Sequence, residues 1–195
     1  MRTTRTKEDF LEELTRFVIQ RGIGSFTMAQ LCQELSCSKR RLYEVAATRE
    51  EIFLLVVDQL FAGLLADSAA VLQREEQDLV KLIQAYMAIG IQAGQRLSDT
   101  FRAEVESNPA SQKLFDDYQQ QRIEGVKQLI MRGQAAGMFR PAHADVIAVV
   151  LVRASLVIRT NAFLKSAQLS MEQAFDELYT LILQGIIVDR AVPKV

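Results

Sequence analysis

The stretch TMAQLCQELSCSKRRLYEVAATREE, from Thr27 to Glu51, decides how this chain is read. It predicts two short helices joined by a turn at Ser36 and Cys37. Thr27 and Gln30 have the spacing of a capping box, in which a hydroxyl and the side chain three residues on satisfy each other's backbone N–H groups. Met28, Leu31, Cys32 and Leu35 then form one apolar stripe. The second helix is predicted over 38–45. It opens with Lys39, Arg40 and Arg41 and turns apolar at Leu42 and Val45. A short helix with a cationic leading end and an apolar trailing face meets the needs of a helix-turn-helix. Its first turn must reach base edges in a major groove while its back stays in a core.

On the N-terminal side, Phe10, Leu14, Phe17 and Val18 share one face of a first helix, and Gly22 and Gly24 end it. Glycine accepts the left-handed backbone found at helix stops. On the C-terminal side, Thr48 and Glu51 repeat the capping-box spacing and start a long helix, to about Leu72, with no linker before it. Further helices are predicted at 78–96, 98–107, 110–136, 143–164 and 171–188. Asn108–Pro109 supplies a cap and a proline at the first helical position. Gly137 and Pro141 punctuate one junction, and Ser170 with Gln173 gives a third capping box. With only three prolines and no sustained strand-like alternation, the fold class is all-α. The expected domains are a helix-turn-helix head over 1–47 and a larger helical body over 48–195.

A chain of 195 residues with 49% apolar content has ample material for a core. The net charge of −1 hides an asymmetry: residues 1–49 carry nine Lys/Arg against six Asp/Glu, and the remainder is acidic. A mildly basic head suits a partner with phosphates. Two cysteines, Cys32 and Cys37, are too few for a disulfide framework and suit a reducing compartment. The opening MRTTRTKEDF lacks the apolar run of a signal peptide. Runs such as Val146–Val152 fall short of the ~20 residues that span a bilayer. The expectation is a soluble cytoplasmic protein with no membrane partner.

These elements together resemble the tetracycline-repressor (TetR) family of bacterial transcriptional regulators. The resemblance rests on FVIQRGIGSFTMAQLCQELSCSKRRLYEVAATREEIF and on the later junction RGQAAGMFRP. It implies a three-helix DNA-binding head, a body with a small-molecule pocket, and a dimer interface on the last two helices. By position, it implies that Thr27 meets phosphate, that Lys39, Arg40, Arg41, Tyr43 and Glu44 line the DNA face, and that Arg49 takes the place of a phosphate-binding lysine. The sequence departs from the family pattern at four places. Ser36 stands at the turn glycine, Arg40 at a small residue, Glu44 at a frequent histidine, and Ala46–Ala47 at a Phe-Pro pair. Glu44 either accepts from a cytosine amino group or pairs with a neighbouring arginine.

For the body, Phe61, Tyr86, Met87, Phe101, Phe115 and Tyr118 are candidate ligand contacts as well as core residues. Arg102 and Glu104, in the short helix over 98–107, are candidate gates to a pocket or plain surface. Gly90 and Gly94 permit close helix packing or leave room for a ligand. The expected ligand is hydrophobic or amphipathic. His143 is the single histidine and stands in no Cys/His cluster, so no metal and no cofactor are expected. Acidic neighbours such as Glu75–Glu76 and Asp116–Asp117 lie in hydrophilic stretches, and no nucleophile–base pair or phosphate loop occurs, so no catalytic residues are assigned. The expected function is a homodimeric repressor that binds a double-stranded DNA operator and responds to a small-molecule effector. The alternative is a helical interaction protein of the same fold that has lost specific DNA binding.

Overall fold

The computed structural model describes residues 6–187. Ten α-helices lie among them: α1 (Lys7–Arg21), α2 (Met28–Glu34), α3 (Lys39–Tyr43), α4 (Arg49–Leu72), α5 (Leu79–Arg96), α6 (Asp99–Ser107), α7 (Pro109–Ala135), α8 (Ala144–Ile158), α9 (Asn161–Ala167) and α10 (Met171–Ile186). The described residues contain no β-strand, and the one extended pairing is an isolated antiparallel bridge between Phe139 and Ile187. The all-α fold class holds.

Two compact units divide the chain. The first runs up to Gly63 and takes in Ala93–Asp117; the second is Leu64–Gln92 with the chain from Tyr118 onward. Helices α4, α5 and α7 are continuous through the division.

The first unit is built on α1. Phe10, Leu14 and Val18 recur at helical spacing and are buried. They share a core with Leu31, Leu35 and Leu42 of the next two helices, and with Ile52, Phe53, Val56 and Val57 of α4. Phe101 of α6 is fully buried and meets Phe53 edge-on at 5.5 Å. Burial of one such ring is worth about 1.5–3 kcal/mol. The second unit has its own core, in which Leu82, Ile83, Val126, Leu129, Ile130, Leu151 and Val152 are among the most deeply buried residues. In this unit α8 packs on α10.

Local sequence chemistry fixes most helix starts. Thr27 accepts from Gln30 N while Gln30 Oε1 accepts from Thr27 N. Thr48 and Glu51 exchange the same pair of bonds, and so do Ser170 and Gln173. A fourth box, Thr6 with Asp9, starts α1. Gly22 closes α1 at φ +69° and ψ −178°, a region essentially confined to glycine that costs other residues about 1–3 kcal/mol.

Three expectations change. The helix predicted over 143–164 is two helices, α8 and α9, bent by 84° at Arg159–Thr160. The Thr160 hydroxyl accepts from Phe163 N and caps a new helix, so the first one stops. Secondly, α3 is shorter than 38–45, because the Val45 N–H turns back three residues onto Leu42 O and tightens the last turn. Thirdly, α4 is by length and composition long and apolar enough to cross a bilayer, which run lengths had not suggested. In this fold it supplies core residues: Ile52, Phe53, Val56, Val57, Phe61 and Val71 are buried. Val188, counted in the predicted last helix, lies outside the described residues.

Candidate nucleic-acid interface

Ser38 begins α3 by accepting from Arg41 N, and Leu42, with no exposed surface, anchors its back in the core. The turn before it contains Ser36 at φ +47°, where the left-handed backbone normally selects glycine. Lys39, Arg40, Tyr43 and Glu44 are all exposed along α3 and its end, Tyr43 at 51%.

Two adjacent arginines part company here. The Arg40 side chain is 90% exposed, and its contact is a 3.2 Å ion pair from Nε to Glu44 Oε1. Arg41 is 30% exposed and folds back on α1. Its Nη2 donates to Thr6 O at 2.7 Å, and its guanidinium lies 5.4 Å from the Phe10 ring centre. Nη1 also reaches Glu44 Oε2 at 3.6 Å. Arg40 therefore projects and Arg41 braces. Glu44 pairs with both arginines.

Arg49 also has a structural engagement. Its Nη1 donates to the carbonyls of Gly24 and Phe26, at 2.7 and 3.0 Å, and ties the α1–α2 loop to the start of α4. Thr27 and Arg49 line one open surface depression of about 330 Å³, together with Phe26, Met28, Thr48 and Glu50. The N-terminal ends of α2 and α4 border it. Helix N-termini with unpaired N–H groups favour phosphate oxygens.

Sequence reasoning gave Glu104 a gate or a plain surface. It is instead a clasp within the first unit. The carboxylate, carried by α6, accepts from Ile23 N at 2.9 and 3.2 Å and from Gly24 N at 2.7 Å. A Cβ at Gly22 or Gly24 would lie 2.6 or 2.7 Å from Glu104 Oε1. The two glycines thus serve as the seat of a carboxylate as well as a helix stop. Ser98 N adds a bond to Ile19 O. The end of α1 is therefore held by α6 at three backbone positions.

The candidate ligand contacts do not form a single set. Phe61 and Phe115 pair at 5.8 Å in the first unit, where Phe101 packs on Phe53 and Arg102 is ion-paired with Asp99 of its own helix. Tyr86, Met87 and Tyr118 belong to the second unit and surround a residue that the sequence did not single out: Arg122, 1% exposed. Gly90 makes room for it, since a Cβ there would lie 2.3 Å from Arg122 Nη1. Burial pushes the Tyr86 and Tyr118 phenols up, against the pull of the Arg122 charge. No group of three or more His, Cys, Asp or Glu among the described residues is placed to hold a metal ion. Cys32 is buried and Cys37 half-buried, and the two form no disulfide.

No family model matches the sequence, and neither does the sequence of any curated protein. Solved structures do match along nearly the whole chain. A transcriptional regulator from Cytophaga hutchinsonii superposes with a TM-score of 0.73 at 16% identity, over 93% of this chain and 98% of its own. SmeT, the repressor of the Stenotrophomonas maltophilia multidrug efflux pump SmeDEF, gives 0.71 at 13% identity over 98% and 96%; SmeT has also been seen in complex with triclosan. A TetR transcriptional regulator from Legionella pneumophila gives 0.66 at 14% identity over 95% and 100%. At such identities the likeness establishes a fold, and the fold is the one these transcriptional regulators share.

Proposed function

We propose that the chain is a TetR-family transcriptional regulator of the cytoplasm, not an enzyme: a homodimer that binds a palindromic DNA operator and leaves it when a small hydrophobic or amphipathic molecule binds. The observation that carries this reading is the contrast within α3. Arg40 is 90% exposed while Leu42, two residues on, has no exposed surface. A cation presented from a braced helix is suited to guanine O6 and N7. Lys39, Tyr43 and Glu44 flank it on the DNA side. Thr27 and Arg49 share the depression at the two helix starts and hold phosphate there. Arg41 sets the angle of α3 on α1.

Dimerisation uses α8 and α10. Val146, Val149, Val150 and Val157 of α8 are 41–60% exposed, and Leu181 of α10 is 74% exposed. Apolar side chains on two helices that pack on each other form a surface a two-fold copy can bury. Such a dimer spaces its two copies of α3 for half-sites about one helical turn or more apart.

Release follows from linkage. An effector that prefers the conformation unable to bind DNA weakens DNA affinity by the same factor. Helix α4 runs unbroken from Arg49 to Leu72, and α6 holds the end of α1 through Glu104, so both helices are fitted to carry that change.

The ion pairs from Arg40 and Arg41 to Glu44 favour a second reading, an interaction protein whose DNA face has been neutralised. One experiment separates the two. Gel-shift titration over a salt series, on a fragment upstream of the gene and on random DNA, should show tighter, salt-dependent binding to the former. Equal binding to both, or none, would favour the interaction protein. Sedimentation of the same sample as a monomer at micromolar concentration would remove the dimer.

A further inference from the structure

Arg122 is the largest fully buried side chain among the described residues. A guanidinium keeps its proton at any pH a cell meets, so this charge is buried as a charge. Buried charges persist when they are paired and hydrogen-bonded. The partners here are poor. Nη2 is 3.4 Å from Met87 O and 3.5 Å from Met87 Sδ, a weak acceptor. The rings of Tyr86 and Tyr118 stand 5.9 and 5.8 Å away. Nε has no acceptor. No Asp or Glu is buried among the described residues. The tyrosines do not supply the missing charge, because burial holds the phenols of Tyr86, Tyr118 and Tyr179 above their ordinary value although Arg122 pulls them down.

Nε and Nη2, the two poorly served nitrogens, are neighbours on one edge of the guanidinium plane. That edge offers two parallel N–H bonds at the spacing of two carboxylate oxygens. Gln119, one turn earlier on α7 and 1% exposed, has an Oε1 with no donor. Turned over, the same amide presents an N–H2 group. A second cation approaches as well: Arg159, at the end of α8, donates to Gly90 O at 3.3 Å, on the turn of α5 whose missing side chain admits Arg122. Arg159 is half-buried and carries the cluster toward the surface. Met87, whose O and Sδ face Nη2, has a flexible thioether side chain that can repack around a ligand.

We propose that the effector is an organic anion, a carboxylate on an apolar or aromatic body, whose two oxygens pair with the Nε–Nη2 edge of Arg122 while its body lies against Met87, Tyr86 and Tyr118. This rests on reading the second unit as the effector domain, and it narrows the ligand to one charge type.

The test uses the full chain without DNA, so its failure leaves the DNA-binding reading standing and a failed gel shift leaves this proposal standing. Octanoate, octanol and octylamine are titrated by calorimetry and by thermal shift, with benzoate, benzyl alcohol and benzylamine as the aromatic set. At least one of the two carboxylates should bind saturably and raise Tm, and its matched alcohol and amine should not. Arg122→Met should keep or raise the Tm of the free protein, since it removes an uncompensated buried charge. It should weaken carboxylate binding about 10- to 100-fold, the worth of a hydrogen bond to a charged group. If Arg122→Met does not fold, Arg122→Lys decides. It keeps the charge and loses the fork, so carboxylate affinity must still drop about 10-fold or more. The proposal is overturned if neither carboxylate binds the wild-type protein, if alcohols or amines bind as well, or if carboxylate affinity survives these substitutions.

Discussion

The surface of α3 and the interior around Arg122 use the same side chain under opposite conditions. On α3, Arg40 is 90% exposed and rests on Glu44, its own helix neighbour. In the second unit, Arg122 is 1% exposed and has tyrosine faces and a thioether in place of a carboxylate. An exposed pair of this kind is worth about 0–1 kcal/mol, so Arg40 can trade Glu44 for another anion at little cost. A buried charge has no such freedom, because water cannot compensate it. The first arrangement suits a group that changes partners; the second keeps a group waiting for one.

The largest expected effect attacks the first half of that contrast. Arg40→Ala should cost about 1–3 kcal/mol of base discrimination per half-site, roughly 2–6 kcal/mol for a dimer if the sites add. Arg41→Ala should instead lower Tm, by an amount equal to about 1 kcal/mol, as the Phe10 contact and the Thr6 bond are lost. Operator and random-DNA titrations, with melting curves of both variants, check this. Interchanged phenotypes would show that the free-protein geometry of α3 misassigns the reader.

The second prediction concerns pH and belongs to the buried region. Tyr179 is pushed up to about 12, mainly by burial, with the Arg122 charge working the other way. The folded state therefore holds a phenolic proton that the unfolded chain releases near pH 10. Stability should be fully present below that pH and fall as pH rises from about 10 toward 12, by up to about 3 kcal/mol. Melting temperature against pH reads it, and Tyr179→Phe should flatten the fall. A wild-type curve flat through this window would count against a dry interior.

Two glycines give the third. Gly90→Ala should destabilise by about 1–3 kcal/mol, since its Cβ would lie 2.3 Å from Nη1 of a buried guanidinium, which would have to shift within a packed interior. Gly63, in the middle of α4, has nothing within 4 Å of an added Cβ. Gly63→Ala should stabilise by roughly 0.5–1 kcal/mol through helix propensity alone. Denaturant midpoints of the two variants should move in opposite directions.

The smallest effect lies at the turn. Ser36→Gly should raise stability by up to about 1 kcal/mol, because glycine takes φ +47° without strain. A loss would show that the serine side chain contributes more to the turn than its backbone costs.

What was legible in the sequence was local. The Thr27–Gln30, Thr48–Glu51 and Ser170–Gln173 boxes need only three residues of separation, and each formed as spaced. The break at Thr160 was hidden because apolar spacing continues across it from Val157 to Phe163, and the cap consists of a single hydroxyl. Arg122 was hidden for another reason. In QQQRIEGV it looks like part of a solvated face, and only Tyr86, Met87 and Gly90 of α5, lying against it, make it interior. Telling Arg40 from Arg41 required the position of α1, since Phe10 and Thr6 lie some thirty residues upstream. The Glu104 bonds join residues 80 and 81 positions apart.

Those bonds bear on anyone who would transplant this recognition module. A fragment cut at the end of the helix-turn-helix would leave Ile23 and Gly24 with bare amides and strip α1 of the helix that packs on it. The graftable piece has two segments, the chain up to Gly63 and a loan from Ala93–Asp117. A hybrid regulator that exchanges heads should therefore carry its donor's α6 along, or restore Glu104 opposite the two glycines in the recipient.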